Sequence, residues 1–210
     1  MNLMIKICGM RDTDNILRIS SLQPDMIGFI FYPPSSRFVQ SPESVTRILL
    51  PKDIIKVGVF VNSTAEEIMQ KVNLYDLQAV QLHGNESVDL CKQLKVSGLT
   101  VIKACHISVL RDFHPTSLYE TYVDYFLFDS KTDRYGGSGQ AFNWNVLQHY
   151  QGNTPFFLSG GIGPEHVAAI QSIRHERLVG VDLNSKFETA PGIKDYDSLQ
   201  QFIHQVKNKI

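Results

Sequence analysis

Chemically reactive side chains follow several short apolar runs of this 210-residue sequence. Cys8 comes directly after LMIKI, His83 after AVQL and Asp129 after YFLF. A thiol and a carboxyl group that lie on either side of a substrate are able to remove and donate protons. These residue types therefore predict general acid–base chemistry, with His83 as a further pocket residue.

Lys6 precedes Cys8 by two residues and would share its face of an extended strand. An ammonium group lowers the pKa of a neighbouring thiol from about 8.5, so we expect Lys6 to make Cys8 a usable base. The other cysteines, Cys91 and Cys105, match no zinc-binding spacing, and we predict that they are packing residues.

Two further groups of residues are typical of anion binding. Arg37 follows the stiff pair Pro33-Pro34, and a guanidinium group suits bidentate binding of a carboxylate or phosphate. Glycines cluster in the segments 136–139 (GGSG) and 159–163 (SGGIG), where backbone N–H groups are able to approach an anion closely. Both segments lie in the C-terminal part of the chain, which predicts a phosphate site there.

Eight short, continuously apolar runs predict buried parallel strands to carry these residues. The runs are Leu3–Ile7, Met26–Phe31, Ile54–Phe60, Ala79–Leu82, Val101–Ala104, Tyr125–Phe128, Phe156–Leu158 and Leu178–Val181. Helix-start signals lie between them at 41–43, 62–67 and 163–165, and a last helix is predicted from about Tyr196. About eight helices are expected, although Pro115 interrupts the segment 109–119.

Eight βα units in 210 residues leave about 26 residues each, which favours a closed (β/α)8 barrel over an open doubly wound sheet. We predict an α/β fold with one barrel domain over residues 1–210. In either architecture the active site lies beyond the carboxyl ends of the strands. Asp182, which follows the eighth run, joins the predicted pocket.

Composition excludes several classes of protein. A formal charge of −1 predicts no nucleic-acid partner, and 43% hydrophobic with 20% charged residues excludes wholesale disorder. No apolar run is long enough to span a membrane, and the N-terminus is no secretory signal, so we expect a cytoplasmic protein. Without a metal-ligand cluster or a GxGxxG sequence after the first strand, we expect neither metal nor other cofactor. The residues thus predict proton transfer on a small phosphorylated metabolite.

The sequence resembles the phosphoribosylanthranilate isomerase family of tryptophan biosynthesis, whose members are (β/α)8 barrels. Its motifs match in order over almost the whole chain. The matching segments are KICGM at 6–10, FYPPSSRFV at 31–39, VGVFVN at 57–62, VQLHG at 80–84, FDS at 128–130, GGSGQAFNW at 136–144, LSGGIGPEHV at 158–167 and VDLNS…E…PGIKD at 181–195.

This resemblance implies an Amadori rearrangement with assigned residue roles. Asp129 would protonate the furanose ring oxygen of N-(5-phosphoribosyl)anthranilate, and Cys8 would remove the proton at C2′. Arg37 would hold the anthranilate carboxylate. The phosphate would be bound by Gly137, Ser138, Gly139, Gly160, Gly161, Asn184 and Ser185.

Two departures from the family pattern and two alternative functions remain. Lys186 replaces a common glycine after Asn184-Ser185, and Asn143 replaces a common aspartate before the loop tryptophan. The alternatives are a related sugar-phosphate isomerase or epimerase barrel and a non-catalytic phosphoribosyl-binding scaffold. The expected partner is a phosphorylated small molecule; the chain is predicted to be a monomer or homodimer, with possible contacts to other enzymes of the tryptophan pathway.

Overall fold

The computed structural model describes residues 3–41, 43–46, 48, 50–129 and 144–207. Eight parallel strands close into a barrel in which each strand pairs with the next and the eighth pairs with the first. The strands are β1 (Met4–Cys8), β2 (Met26–Ile30), β3 (Ile55–Phe60), β4 (Ala79–Leu82), β5 (Thr100–His106), β6 (Tyr125–Asp129), β7 (Phe156–Ser159) and β8 (Leu178–Leu183). Closure confirms the predicted barrel and excludes the open sheet.

Every predicted apolar run became a strand, and its ends moved by no more than two residues. The shifts nevertheless matter for the site. Cys8 and Asp129 are the last residues of β1 and β6 rather than the first residues of the following loops, and Asp182 lies within β8. Strand hydrogen bonds therefore fix their backbones.

Six α-helices lie among the described residues. They are α1 (Thr13–Ser20), α2 (Glu43–Thr46), α3 (Ala65–Tyr75), α4 (Val88–Val96), α5 (Val167–Ser172) and α6 (Tyr196–Lys207). The predicted start of α3 is confirmed in detail, because the Thr64 hydroxyl accepts from the N–H of Glu67, and the Glu67 carboxylate accepts from the N–H of Thr64. The start of α6 is confirmed at Tyr196.

In the described part of the chain a helical segment follows each of the eight strands, as expected, but the segments after β5 and β6 (the latter Trp144–His149) are 3₁₀ rather than α-helical. The segment after β5, Leu110–Leu118, is 3₁₀-helical and contains Pro115, which lacks the N–H that a continuous α-helix needs. The predicted helix start at 163–165 leads into a 3₁₀ turn, Pro164–His166, before α5 begins. Of the start predicted at 41–43, Pro42 lies outside the described residues, and α2 begins at Glu43.

A small hairpin that the sequence patterns did not predict follows β8. It consists of β9 (Glu188–Ala190) and β10 (Ile193–Lys194). Asn15 of α1 holds β10 in place, since its amide donates to the Lys194 carbonyl and accepts the Lys194 N–H, at 2.9 and 2.8 Å. The hairpin is therefore joined to the start of the chain.

The barrel interior is apolar at one level and polar at the next. The apolar level consists of Met26, Val57, Ala79, Ile102, Ala104, Leu127 and Phe157. Nearer the carboxyl ends of the strands, inward positions carry Lys6, Gln81 and Asp182, all buried. No helix of the described residues is long and apolar enough to cross a membrane.

Candidate active site

A cavity of ≈ 300 Å³ opens at the carboxyl end of the barrel. Its walls come from the ends of the strands and the loops that follow them. They include eight residues that the sequence predicted for the site: Cys8, His83, Asp129, Gly160, Gly161, Asp182, Asn184 and Ser185. The remaining lining residues are mostly apolar or small: Ile30, Tyr32, Ser35, Val59, Val61, Gln81, Ser159 and Ile162.

Lys6 does not line this cavity but lies buried next to Cys8 on β1. Its ammonium group is 2.7 Å from Asp182 Oδ1, and the other carboxylate oxygen of Asp182 accepts from the Ser159 hydroxyl at 3.3 Å. Burial lowers the pKa of Lys6, but Asp182 and Cys8 together outweigh it, so the pKa is raised and the ammonium form persists.

The expected effect of Lys6 on Cys8 is confirmed in direction, since Lys6 lowers the pKa of the thiol, but the expected net lowering of that pKa is wrong. Burial raises the pKa of the Cys8 thiol, and Lys6, although it lowers that pKa, does not outweigh burial. Cys8 is only 3% exposed, so the thiolate loses most of its hydration. A thiolate formed in this pocket is consequently a stronger base than an ordinary thiolate.

Two glycines leave room around Cys8. A Cβ atom on Gly28, which pairs with Cys8 in β2, would lie 2.8 Å from the Cys8 sulfur. Gly9 has a left-handed backbone (φ +79°), and a Cβ atom there would lie 2.7 Å from Arg37 Cδ and 2.9 Å from Asn184 Oδ1. Gly9 thus lets Arg37 and Asn184 approach the residue that follows the thiol.

Arg37 does not line the cavity itself, and a carboxylate of the chain already binds it. Glu188 of β9 accepts from Arg37 Nε and Nη2 at 2.9 and 2.6 Å, and Lys194 of β10 is 2.6 Å from the same carboxylate. Burial raises the pKa of Glu188, but these two cations outweigh it and hold the pKa below its ordinary range. Two cations and one carboxylate leave a net positive charge.

Asp129 lies close to two histidines at the mouth of the barrel, of which His106 is its pairing partner on β5. Its Oδ2 lies 3.6 Å from His83 Nε2 and 3.9 Å from His106 Nδ1. His83 is bonded in turn through Nδ1 to the side-chain nitrogen of Gln81, at 2.7 Å. A carboxyl group thus lies across the barrel from the thiol, with β7 and β8 between their strands on one side.

Sequence reasoning missed Gln81, Glu188 and Lys194. Gln81 had a detectable signal, because a glutamine inside an apolar strand shares the face of His83 two residues later. Glu188 and Lys194 lie within the quoted VDLNS…E…PGIKD segment, but nothing in that segment pairs them with Arg37. Of the predicted phosphate residues, Gly137, Ser138 and Gly139 lie outside the described residues, as does Asn143.

The other two cysteines behave as predicted. Cys91 is fully buried in the hydrophobic core, and Cys105 packs against the same core. Burial raises the pKa of each thiol to about 11. In the described part of the chain, no group of three or more His, Cys, Asp or Glu residues is arranged to hold a metal ion.

Comparison with known proteins gives a consistent result. A family model described as N-(5′-phosphoribosyl)anthranilate isomerase matches residues 5–205. The isomerase of that name from Parabacteroides distasonis is 49% identical over 209 residues, covering 97% of this chain and 93% of the relative.

Solved structures of isomerases with this name have the same fold over nearly their whole length. A crystal structure in complex with reduced 1-(o-carboxyphenylamino)-1-deoxyribulose 5-phosphate aligns with a TM-score of 0.84 at 35% identity, covering 98% of each chain. Monomers generated from the dimeric enzyme of Thermotoga maritima align with a TM-score of 0.83 at 36% identity, also covering 98% of each chain.

Proposed function

Since this chain belongs to the N-(5′-phosphoribosyl)anthranilate isomerase family, we propose that Asp129 and Cys8 are the acid and base of that reaction. The chain is an enzyme of tryptophan biosynthesis, and it isomerises N-(5′-phosphoribosyl)anthranilate to 1-(2-carboxyphenylamino)-1-deoxyribulose 5-phosphate. The observation that carries the residue roles is the shared cavity, whose wall contains both the Cys8 thiol and the Asp129 carboxyl group beside small and polar loop residues.

Asp129 acts first, as the general acid. Its protonated carboxyl group donates to the furanose ring oxygen, the C1′–O bond breaks, and the anilino nitrogen supplies the electron pair that forms the Schiff base. The neighbouring His83 side chain keeps the Asp129 carboxyl group directed into the cavity. Ring opening thus requires no nucleophile from the protein.

Cys8 acts second, as the general base. Its thiolate removes the proton at C2′, and the electron pair moves toward the positively charged Schiff base to give an enolamine. Tautomerisation of the enolamine yields the ketone. The buried Lys6 ammonium group lies beside the thiolate and favours its formation, while Gly28 leaves the sulfur room to face the sugar.

Opposite ends of the substrate are bound by different loops. Gly160 and Gly161 after β7, together with Asn184 and Ser185 after β8, bind the phosphate, and Gly137, Ser138 and Gly139 are proposed to complete that site. Arg37 binds the anthranilate carboxylate, supported by the net positive charge of its cluster with Glu188 and Lys194. The apolar wall of Ile30, Val59 and Val61 suits the aromatic ring.

A turnover assay tests this function against its alternatives. The purified chain is expected to consume phosphoribosylanthranilate, which is measured as a loss of substrate fluorescence. It is expected to leave the aminoaldose substrate of histidine synthesis unchanged. Turnover of the second substrate alone would favour a related sugar-phosphate isomerase. Binding of phosphoribosylanthranilate without turnover would favour a non-catalytic scaffold.

Titration of Cys8 tests the electrostatics of the base. In a Cys91→Ala/Cys105→Ala background, the ultraviolet absorbance of the Cys8 thiolate is expected to appear at a higher pH than that of a solvent-exposed cysteine, because burial raises the pKa of Cys8. Lys6→Met removes the cation that lowers the pKa, so the midpoint moves to still higher pH. The matched control, Lys52→Met at an exposed lysine, leaves it unchanged. A midpoint that Lys6→Met does not move would contradict the role of Lys6.

Several properties of the whole protein remain proposals. We propose that residues 1–210 form one domain and that the protein acts in the cytoplasm as a monomer or homodimer. The dimeric state of the Thermotoga maritima enzyme supports the second alternative. Contacts with other enzymes of the tryptophan pathway remain a prediction from the family resemblance.

A further inference from the structure

Gln81 carries a buried oxygen that no described residue binds. The side chain lies in β4, is 1% exposed and lines the cavity, and its Oε1 has no hydrogen-bond partner within the described ranges. Buried side-chain oxygens in folded proteins are nearly always paired, because an unpaired one loses its hydration without compensation. An unpaired acceptor in the wall of a substrate cavity is placed to receive a donor from the bound molecule.

The other half of the Gln81 amide fixes its orientation. Its Nε2 lies 2.7 Å from His83 Nδ1, and an amide nitrogen donates, so the His83 proton resides on Nε2. That proton faces Asp129 Oδ2 at 3.6 Å. Whenever Asp129 is ionised, as it is after protonating the ring oxygen, the reversed amide would turn the lone pair of His83 toward the carboxylate oxygen, which is electrostatically unfavourable. Oε1 is therefore the atom left without a partner.

The loop after β4 is held so firmly that Gln81 and His83 have little freedom to rearrange. The buried carboxylate of Glu86 accepts from the backbone N–H groups of Asn62 and Gly84 at 3.0 and 2.8 Å. Lys103 of β5 lies 3.1 Å from the same carboxylate and donates to the Gly84 carbonyl at 2.7 Å. Because these contacts hold the loop, Oε1 is expected to gain its hydrogen-bond partner from the substrate rather than by a rearrangement of the protein.

We propose that Gln81 is a binding and positioning residue, whose Oε1 accepts a hydrogen bond from a sugar hydroxyl of the substrate while its N–H holds His83 against Asp129. This inference rests on the proposed function. Asp129 acts at the sugar ring oxygen, and the contacts from Gln81 through His83 lead to Asp129, so we assign Oε1 to the sugar. The hydroxyl groups of the sugar are hydrogen-bond donors, and Oε1 has no donor among the described residues.

Binding of matched ligands tests the hydrogen bond directly. The probes are reduced 1-(o-carboxyphenylamino)-1-deoxyribulose 5-phosphate and its analogues that each lack one sugar hydroxyl. For one of these analogues, the protein is expected to lose about tenfold in affinity relative to the parent compound. Gln81→Met, which keeps the length of the side chain, binds that analogue and the parent equally. Gln93→Met, the same change on the exposed face of α4, behaves like the unchanged protein.

A purely structural role for Gln81 predicts a different result. It would lower affinity for every analogue by the same factor and lower the denaturation midpoint, whereas we expect the midpoint of Gln81→Met to stay close to that of the unchanged protein. Two results would overturn the inference. One is an equal loss of affinity of Gln81→Met for every analogue together with a lower denaturation midpoint, and the other is a Gln81→Met variant that still binds the parent compound more tightly than the analogue. Failure of the unchanged protein to turn over phosphoribosylanthranilate would instead contradict the proposed function, so the two failures are separable.

Discussion

Cys8→Ala lowers kcat for phosphoribosylanthranilate by about 10²–10⁴-fold, the contribution expected of a general base. Alanine cannot remove the C2′ proton, and no other thiol lines the described cavity. KM changes little, because the groups proposed to bind phosphate and carboxylate are untouched. Steady-state kinetics with the purified variant measures both quantities.

Cys91→Ala provides the matched control for this prediction. Cys91 is also a buried cysteine, but it lies on α4 in the core outside the barrel. Its replacement removes the same atoms and leaves kcat unchanged. A Cys8→Ala variant that keeps kcat within tenfold of the original, at a similar denaturation midpoint, would refute the role of Cys8 as base.

Asp129→Asn also lowers kcat by about 10²–10⁴-fold, since an amide cannot donate the proton that opens the furanose ring. The two losses differ in the step that becomes limiting. With deuterium at C2′ of the substrate, the isotope effect on kcat falls toward unity in Asp129→Asn, because ring opening then limits the rate. In Cys8→Ala, cleavage of the C2′–H bond limits the rate, and the isotope effect is fully expressed.

The residue before the same strand supplies a control for Asp129. Asp124 precedes β6 at the opposite end of the barrel, where its carboxylate accepts from the Val101 N–H at 2.8 Å and pairs with Lys95. Asp124→Asn is expected to cost some stability and to leave the isotope effect unchanged. An Asp129→Asn variant that retained a full isotope effect would show that Asp129 has no part in ring opening.

Local features were predictable from the sequence because local physics determines them. The Thr64–Glu67 capping box fixes the start of α3, and the apolar run before Cys8 fixes the strand that carries it. The type of fold followed from counting such runs. The count of eight runs favoured a closed barrel, and the pairing of β1 with β8 confirms the closure.

Long-range pairings explain the features that were missed. Glu188 binds Arg37 from 151 positions away, through a hairpin too short to leave a periodic pattern. The position of Lys6 indicated a cation near the thiol, but the extent of Cys8 burial depends on every strand that surrounds it. Burial therefore reversed the expected direction of the Cys8 pKa shift.

The pairing of β1 with β8 has a consequence for how this protein folds. Lys6 pairs with Asp182 across 176 positions, and Asn15 pairs with Lys194 across 179. The entropy lost in closing so long a loop must be met before such contacts stabilise anything, which places them late in folding. Cys8 on β1, the proposed base, and the loop after β8, which is proposed to bind the phosphate, are brought together by the same closure. The proposed catalytic centre is therefore expected to form only in the last stage of folding.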